Sequence, residues 1–217
     1  MAAFPLYFFS LGLLFHFCFF FAWRAAVSAR GPKTLAWGLT LEISVLDSLL
    51  GAYWAWAFCG ALARGTALPL LAATTPFDEL CITFMMSYLA ADLALGLLFY
   101  RPQLRVDTTY VHHVAYFLLE GYCVLHGFTR YYLIFAILEL PTCVLALGSA
   151  FPSMRSDAAF GATFFATRIV FEVFVAGALL AVRAPIPLHL LLPPVAASLA
   201  MHVVWLRSWM APKGKAV

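Results

Sequence analysis

The chain has 217 residues, of which 65% are hydrophobic and 11% charged, with a net charge of +3. A soluble domain is about 45–50% apolar and about 25% charged, and a globule of this size cannot hide so much apolar surface from water. A soluble enzyme and a disordered protein are therefore excluded, and the charge is too small and too scattered to form a basic face for nucleic acid.

The bilayer is the solvent that fits. A helix needs about 20 mostly apolar residues to cross the hydrocarbon core, and seven such runs are expected, at 4–23, 35–62, 80–99, 111–128, 131–151, 158–182 and 188–206. The fold class is thus all-α, a polytopic membrane protein. Gly31-Pro32, Pro69, Pro76, Pro102, Pro152, Pro185 and Pro187 punctuate the gaps. The first run is read as a retained span rather than a signal peptide, because no basic residue precedes it. The second is over-long and is expected to tilt or to extend past the membrane. The fourth is the shortest and opens on polar residues, which places it inside the bundle. Seven spans put the two termini on opposite sides. The gaps after spans one, three and five, with the tail, carry nine basic residues: Arg24, Arg30, Lys33, Arg101, Arg105, Arg155, Arg207, Lys213 and Lys215. The other side carries three: Arg64, Arg130 and Arg183. Basic loops stay cytoplasmic, so the C-terminus is expected in the cytosol. Residues 1–34 form the first span and its basic loop, 35–207 a six-helix membrane domain, and 208–217 a short basic tail.

Cys18, Cys59, Cys81, Cys123 and Cys143 lie in apolar runs without zinc spacing and read as small apolar core residues. The informative residues are the polar ones within spans. These are Glu42 and Asp47 in span two, Asp92 in three, and His112, His113, Glu120 and His126 in four. Glu139 lies in span five, Arg168 and Glu172 in six, and His202 in seven. A charge at the bilayer centre costs about 2.5–3.5 kcal/mol even on the mildest scale, so these groups face the interior, pair, or titrate to neutral. Interhelical hydrogen bonding alone is one reading of them.

His112-His113 is the sharpest feature. His113 and Glu120 are seven residues apart, and His112 and His126 are fourteen apart. Each His pairing falls near one helical face, which predicts a polar stripe turned to the interior. A neutral imidazole there can pass a proton or act as nucleophile, with Asp92 fixing its tautomer. Structural histidines and a metal site are the rival readings, although adjacent helix positions rarely chelate one ion; no metal and no cofactor is expected. Arg168 and Glu172 have the spacing of a pair on one face. Pro141 removes the donor to the Ile137 carbonyl, so a kink is expected beside Glu139.

In order, an aspartate in one span, a His-His pair opening the next, an arginine, then Glu-x-Pro-Thr and Phe-Phe-x-x-Arg resemble the TLC-domain family, the membrane superfamily that includes the ceramide synthases. The matching residues are Asp92, His112, His113, Arg130, Glu139, Pro141, Thr142 and Phe164 to Arg168. The Glu-x-Pro-Thr form is similar to the smaller TLC-domain proteins. The resemblance implies a helical barrel around a lipid cavity in the endoplasmic reticulum. It implies catalytic His112 and His113, with Asp92 beside them, transferring an acyl chain from acyl-CoA to a sphingoid-like amine. Arg130, Glu139, Glu120, Arg168, Arg101 and Arg105 would then contact substrate, the last two meeting the phosphates of acyl-CoA. Membrane lipids and acyl-CoA or another long-chain lipid are the expected partners. Two other classes stay open at this stage: a non-catalytic lipid binder that regulates membrane composition, and a seven-helix receptor or transporter. A retinal protein is excluded, because Lys33, Lys213 and Lys215 are the only lysines and all lie outside the spans.

Overall fold

A computed structural model describes residues 5–184 and 186–210, without the side chains of 107, 108 and 188–190. Phe4, where the first span was expected to begin, Pro185, and the tail from 211 with Lys213 and Lys215 lie outside the described residues. Every element among the described residues is helical. The chain divides into two compact units, Met1–Arg155 and Ser156–Val217.

In the first unit, α1 (Leu6–Ala26) is followed by α2 (Pro32–Ala63), which starts with proline in its first turn, where the missing N–H costs nothing. A short helix, α3 (Ala67–Ala72), occupies what the sequence reads as a gap. Next, α4 (Pro76–Phe99) begins on a capping box in which the Thr75 side chain accepts from the Asp78 N–H and the Asp78 carboxylate accepts from the Thr75 N–H. A π-helical segment, Val106–Val111, leads directly into α5 (His112–His126). Then α6 (Thr129–Leu133), a 3-10 stretch Ile134–Glu139 and α7 (Leu140–Ala150) run as one apolar helix. The 3-10 stretch has the cause expected from Pro141. The proline supplies no N–H, and the Leu140 N–H takes the Ile137 carbonyl instead.

Within this unit α1 packs on α4, α4 on α5, and α2 along the 129–150 helix. Phe20, Phe58, Leu71, Leu95, Leu133 and Ile134 are fully enclosed. Leu6, Trp56, Leu98 and Leu118 point outward, as apolar residues do when lipid is the solvent. Cys81 and Cys123 are buried, but Cys18 and Cys59 are exposed on the outer surface rather than in the core, and all five cysteines are free.

The closest backbone approach is at Gly51. A Cβ there would lie 2.0 Å from the Ile137 nitrogen and 2.5 Å from the Ala136 carbonyl carbon. Both are main-chain atoms of a continuous helix, so no rotamer change relieves the clash. Gly51→Ala is therefore expected to cost about 1–3 kcal/mol by overpacking, read as a lower melting temperature in detergent. Gly177→Ala, which meets nothing within 4 Å, should melt like the parent and serves as the control.

In the second unit, α8 (Asp157–Phe164), a π-helical segment Phe165–Phe171 and α9 (Glu172–Ala181) form one apolar run. The Ser156 side chain caps it by accepting from the Ala159 N–H at 3.1 Å. The last helix, α10 (Leu188–Met210), carries Pro193 and Pro194 and packs against α9 and the π segment.

Among the described residues six helices are long and apolar enough to cross a membrane: Leu6–Ala26, Pro32–Ala63, Pro76–Phe99, Thr129–Ala150, Asp157–Ala181 and Leu191–Met210. They match six of the seven expected runs. The remaining run, 111–128, contains α5, which with 15 residues is too short to span alone.

Candidate functional site

Helix α4 carries two polar centres at opposite ends. Asp92 lies near its C-terminal end and Asp78 in its first turn, so about 21 Å of helix rise separates them.

Asp92 is buried at 5% exposure. Its Oδ1 accepts a hydrogen bond of 2.5 Å from the hydroxyl of Tyr100, the residue that ends α4. Burial first, and the Asp92 charge second, push the Tyr100 phenol far above its usual range, so the hydroxyl stays protonated and remains the donor. Asp92 Oδ2 lies 3.0 Å from His113 Nε2. That is an ion-pair distance, but the ring meets the carboxylate outside hydrogen-bonding angles, and His113 Nδ1 has no hydrogen-bond partner. His113 is 6% exposed, and its ring centroid lies 5.7 Å from that of Tyr88, one turn before Asp92 on α4. His112 is half-buried, with its ring 5.6 Å from His113 and 4.4 Å from Tyr116. The expected stripe holds for His113 and Glu120, both buried, but not for His126. That residue is exposed in the last turn of α5 and stacks on Tyr122 at 4.1 Å.

A second group of polar side chains surrounds Asp47. Glu120 Oε1 accepts from the Tyr132 hydroxyl at 2.6 Å. Glu139, Glu120 and Glu42 all lie within electrostatic range of Asp47. Glu42 Oε1, Asp47 Oδ1 and Glu120 Oε2 are buried without hydrogen-bond partners. Glu42 Oε2 meets His16 Nδ1 at 2.9 Å, while His16 Nε2 lies 3.3 Å from the Phe84 carbonyl. A carbonyl only accepts, so Nε2 is the donor to Phe84, and the Glu42 carboxyl gives the other ring nitrogen a polar partner, which is how α1 tolerates a fully enclosed histidine.

The other expected site residues are dispersed. Arg130 is buried at the far end of α4. Its Nε donates to Asp78 Oδ2 at 2.9 Å, its Nη1 donates to the Leu70 carbonyl at 2.8 Å, and its guanidinium lies 4.8 Å over Trp54. Arg101 and Arg105 are exposed in the segment between α4 and α5. Arg168 belongs to the second unit, buried in its π segment with the guanidinium 5.4 Å over Phe164 and 5.8 Å over Trp205. There Glu172 Oε2 meets His202 Nδ1 of α10 at 2.9 Å, a partner that the four-residue spacing to Arg168 does not reveal. Both π-helical segments among the described residues adjoin predicted site positions, one ending at Val111 beside His112 and the other holding Arg168. Such segments are rare and gather at functional sites. Among the described residues no group of three His, Cys, Asp or Glu is placed to hold a metal ion.

Sequence reasoning missed Tyr100, Tyr132, His16 and Asp78. Thr75-Pro76-Phe77-Asp78 was a legible capping box. The two tyrosines and His16 offered no spacing signal, because each meets its acid through tertiary packing or a helix end. No family model matches the sequence, and no curated protein or solved structure matches the chain.

Proposed function

We propose that the chain is a multi-pass membrane protein that handles long-chain lipid and transfers an acyl group from an acyl-CoA thioester to a lipid amine, with His113 as the base. The observation that carries this reading is the buried Asp92–His113 contact with Nδ1 left without a partner. With Nε2 against a carboxylate, the proton of a neutral imidazole belongs on Nε2 and the lone pair on Nδ1. Nδ1 would take the proton lost by the amine as its nitrogen attacks the thioester carbonyl. The C–N bond forms, the C–S bond breaks, and the proton returns to the departing thiolate.

In this reading the seventh crossing is residues 106–126. The π segment and α5 are continuous, and 21 residues of helix rise about 31 Å. A TLC-like helical barrel around a lipid cavity, residence in the endoplasmic reticulum and a cytosolic C-terminus belong to the same proposal. The orientation rests on the nine-to-three distribution of basic residues. Arg101 and Arg105 would then stand on the side where acyl-CoA arrives.

The test is mass spectrometry of lipids that co-purify with the protein, followed by incubation with acyl-CoA and a panel of long-chain amines. A bound long-chain lipid and an amide product are expected. Retained lipid without product from any amine would replace catalysis with lipid binding, and absence of both would end the lipid reading.

A further inference from the structure

We propose that the end of the first unit where α1 turns into α2 is a docking rim for the phosphate groups of anionic membrane phospholipids. This proposal does not rest on the acyltransfer reading, although Arg101 belongs to both.

The sequence sets up the charge. Residues 1–41 contain no acid, and Arg24, Arg30 and Lys33 are their only Lys or Arg residues; 93–106 and 140–156 are likewise free of acids and contribute Arg101, Arg105 and Arg155. The fold then holds two of these cations on aromatic faces. Arg24, in the last turn of α1, sits 4.5 Å over the ring of Phe99 at the end of α4. Arg30 sits 5.6 Å over Phe151, which follows α7. Trp23 immediately precedes Arg24 and packs edge-on to Phe151 at 6.1 Å. Its Nε1 donates to the Thr34 carbonyl at 3.2 Å, which pins the hairpin of α1 and α2. Gly38 makes room for that ring: a Cβ there would fall 2.2 Å from Trp23 Cδ1.

The floor of the rim is therefore rigid and aromatic. A guanidinium stacked on a ring keeps its N–H edge turned outward, in the fork geometry that fits a phosphate. Arg24, Arg30, Lys33 and Arg101 are exposed, and none takes part in an ion pair among the described residues. The N-terminus of α2 opens beside them with no acid in its first turn, which adds partial positive charge. Four exposed cations with no ion pair among the described residues, at the level where apolar helices end in Trp and Phe, match the headgroup layer of a bilayer and its phosphates.

Wild type and variants would be placed in nanodiscs of phosphatidylcholine with graded phosphatidylserine, and the lipids retained through extraction counted by native mass spectrometry. Wild type should retain phosphatidylserine preferentially. Arg24→Gln/Arg30→Gln should lower that preference about 25-fold, about fivefold per arginine, with phosphatidylcholine retention and the melt in pure phosphatidylcholine unchanged. Phe99→Leu/Phe151→Leu keeps the charges but removes the stacking, and should lower the preference about fivefold. Arg24→Lys/Arg30→Lys is the milder variant that keeps the argument testable if the glutamine variant does not fold, and should also bind less than wild type. The proposal is overturned if wild type shows no preference, if the variants match wild type, or if equimolar inorganic phosphate displaces the lipid. The last result would mark a site for soluble phosphates.

Discussion

Asp78→Asn is expected to destabilise the first unit by about 3–5 kcal/mol, the cost of leaving one partner of a buried ion pair uncompensated. Asp78 is fully enclosed, and its Oδ2 receives three hydrogen bonds: from Arg130 Nε at 2.9 Å, from the Thr75 N–H at 2.7 Å and from the Thr75 hydroxyl at 2.8 Å. One oxygen thus caps α4 and neutralises Arg130. Arg130 carries the tie onward to the carbonyl ending at Leu70 of α3 and to the face of Trp54 on α2. An asparagine keeps the shape but strands a guanidinium that cannot lose its proton. The double variant Asp78→Leu/Arg130→Met removes both charges and should recover most of the loss, short of about 1 kcal/mol for the vanished cap. Thermal melts in one detergent and lipid mixture decide the matter. A single variant that melts like wild type would mean that water reaches Arg130 and that the pair does not hold α2, α3, α4 and α6 together.

The same pair shows where sequence reading stops. Arg130 was counted with Arg64 and Arg183 as a loop cation, because its partner is 52 residues away and no local pattern links them. Helices were legible to within about a turn wherever an apolar run meets proline or glycine. The run expected at 80–99 begins at Pro76 because the capping box extends it. The run expected at 111–128 differs for a physical reason: its first residue, Val111, ends a π segment and Gly127 ends the helix, which leaves an α-helix over His112–His126. The polar residues of α5 were legible as a stripe up to Glu120. The stripe ends before His126, where the helix terminates at Gly127 and the exposed ring stacks on Tyr122. His16 was invisible as a polar centre because a single histidine in a Phe-rich run signals nothing until Glu42 is brought to 2.9 Å. Composition and period place helices and their interiors; which buried polar groups meet is decided by packing.

That distinction shapes the strongest test of the histidine site. If His113 is the base, His113→Gln should lower acyl transfer by about 10²–10⁴-fold, because an amide accepts no proton near neutral pH. A glutamine is close in size and can still meet Asp92, so the melt should stay near that of wild type. Asp92 and Tyr100 act through His113 and are positioning residues. Asp92→Asn leaves the ring contact but removes the charge that keeps the proton on Nε2, and should lower kcat more than it changes KM. Tyr100→Phe removes the 2.5 Å hydrogen bond to Asp92 Oδ1 together with the longer 3.3 Å contact to the Asp92 carbonyl. A hydrogen bond to a charged group is worth about 1.5–3 kcal/mol, so kcat should fall between about tenfold and a hundredfold, again with KM held. A purely structural role for the three residues predicts a different pattern: melting temperature and retained lipid would fall together, and surviving protein would turn over at the wild-type rate. His112→Gln separates the neighbours. Its ring lies against Tyr116 at 4.4 Å, and with His113 as the base its loss should be smaller than that of His113→Gln. The reverse order would move the base to His112, and full turnover in both variants would take the histidines out of the chemistry and pass the role to the carboxyls around Asp47.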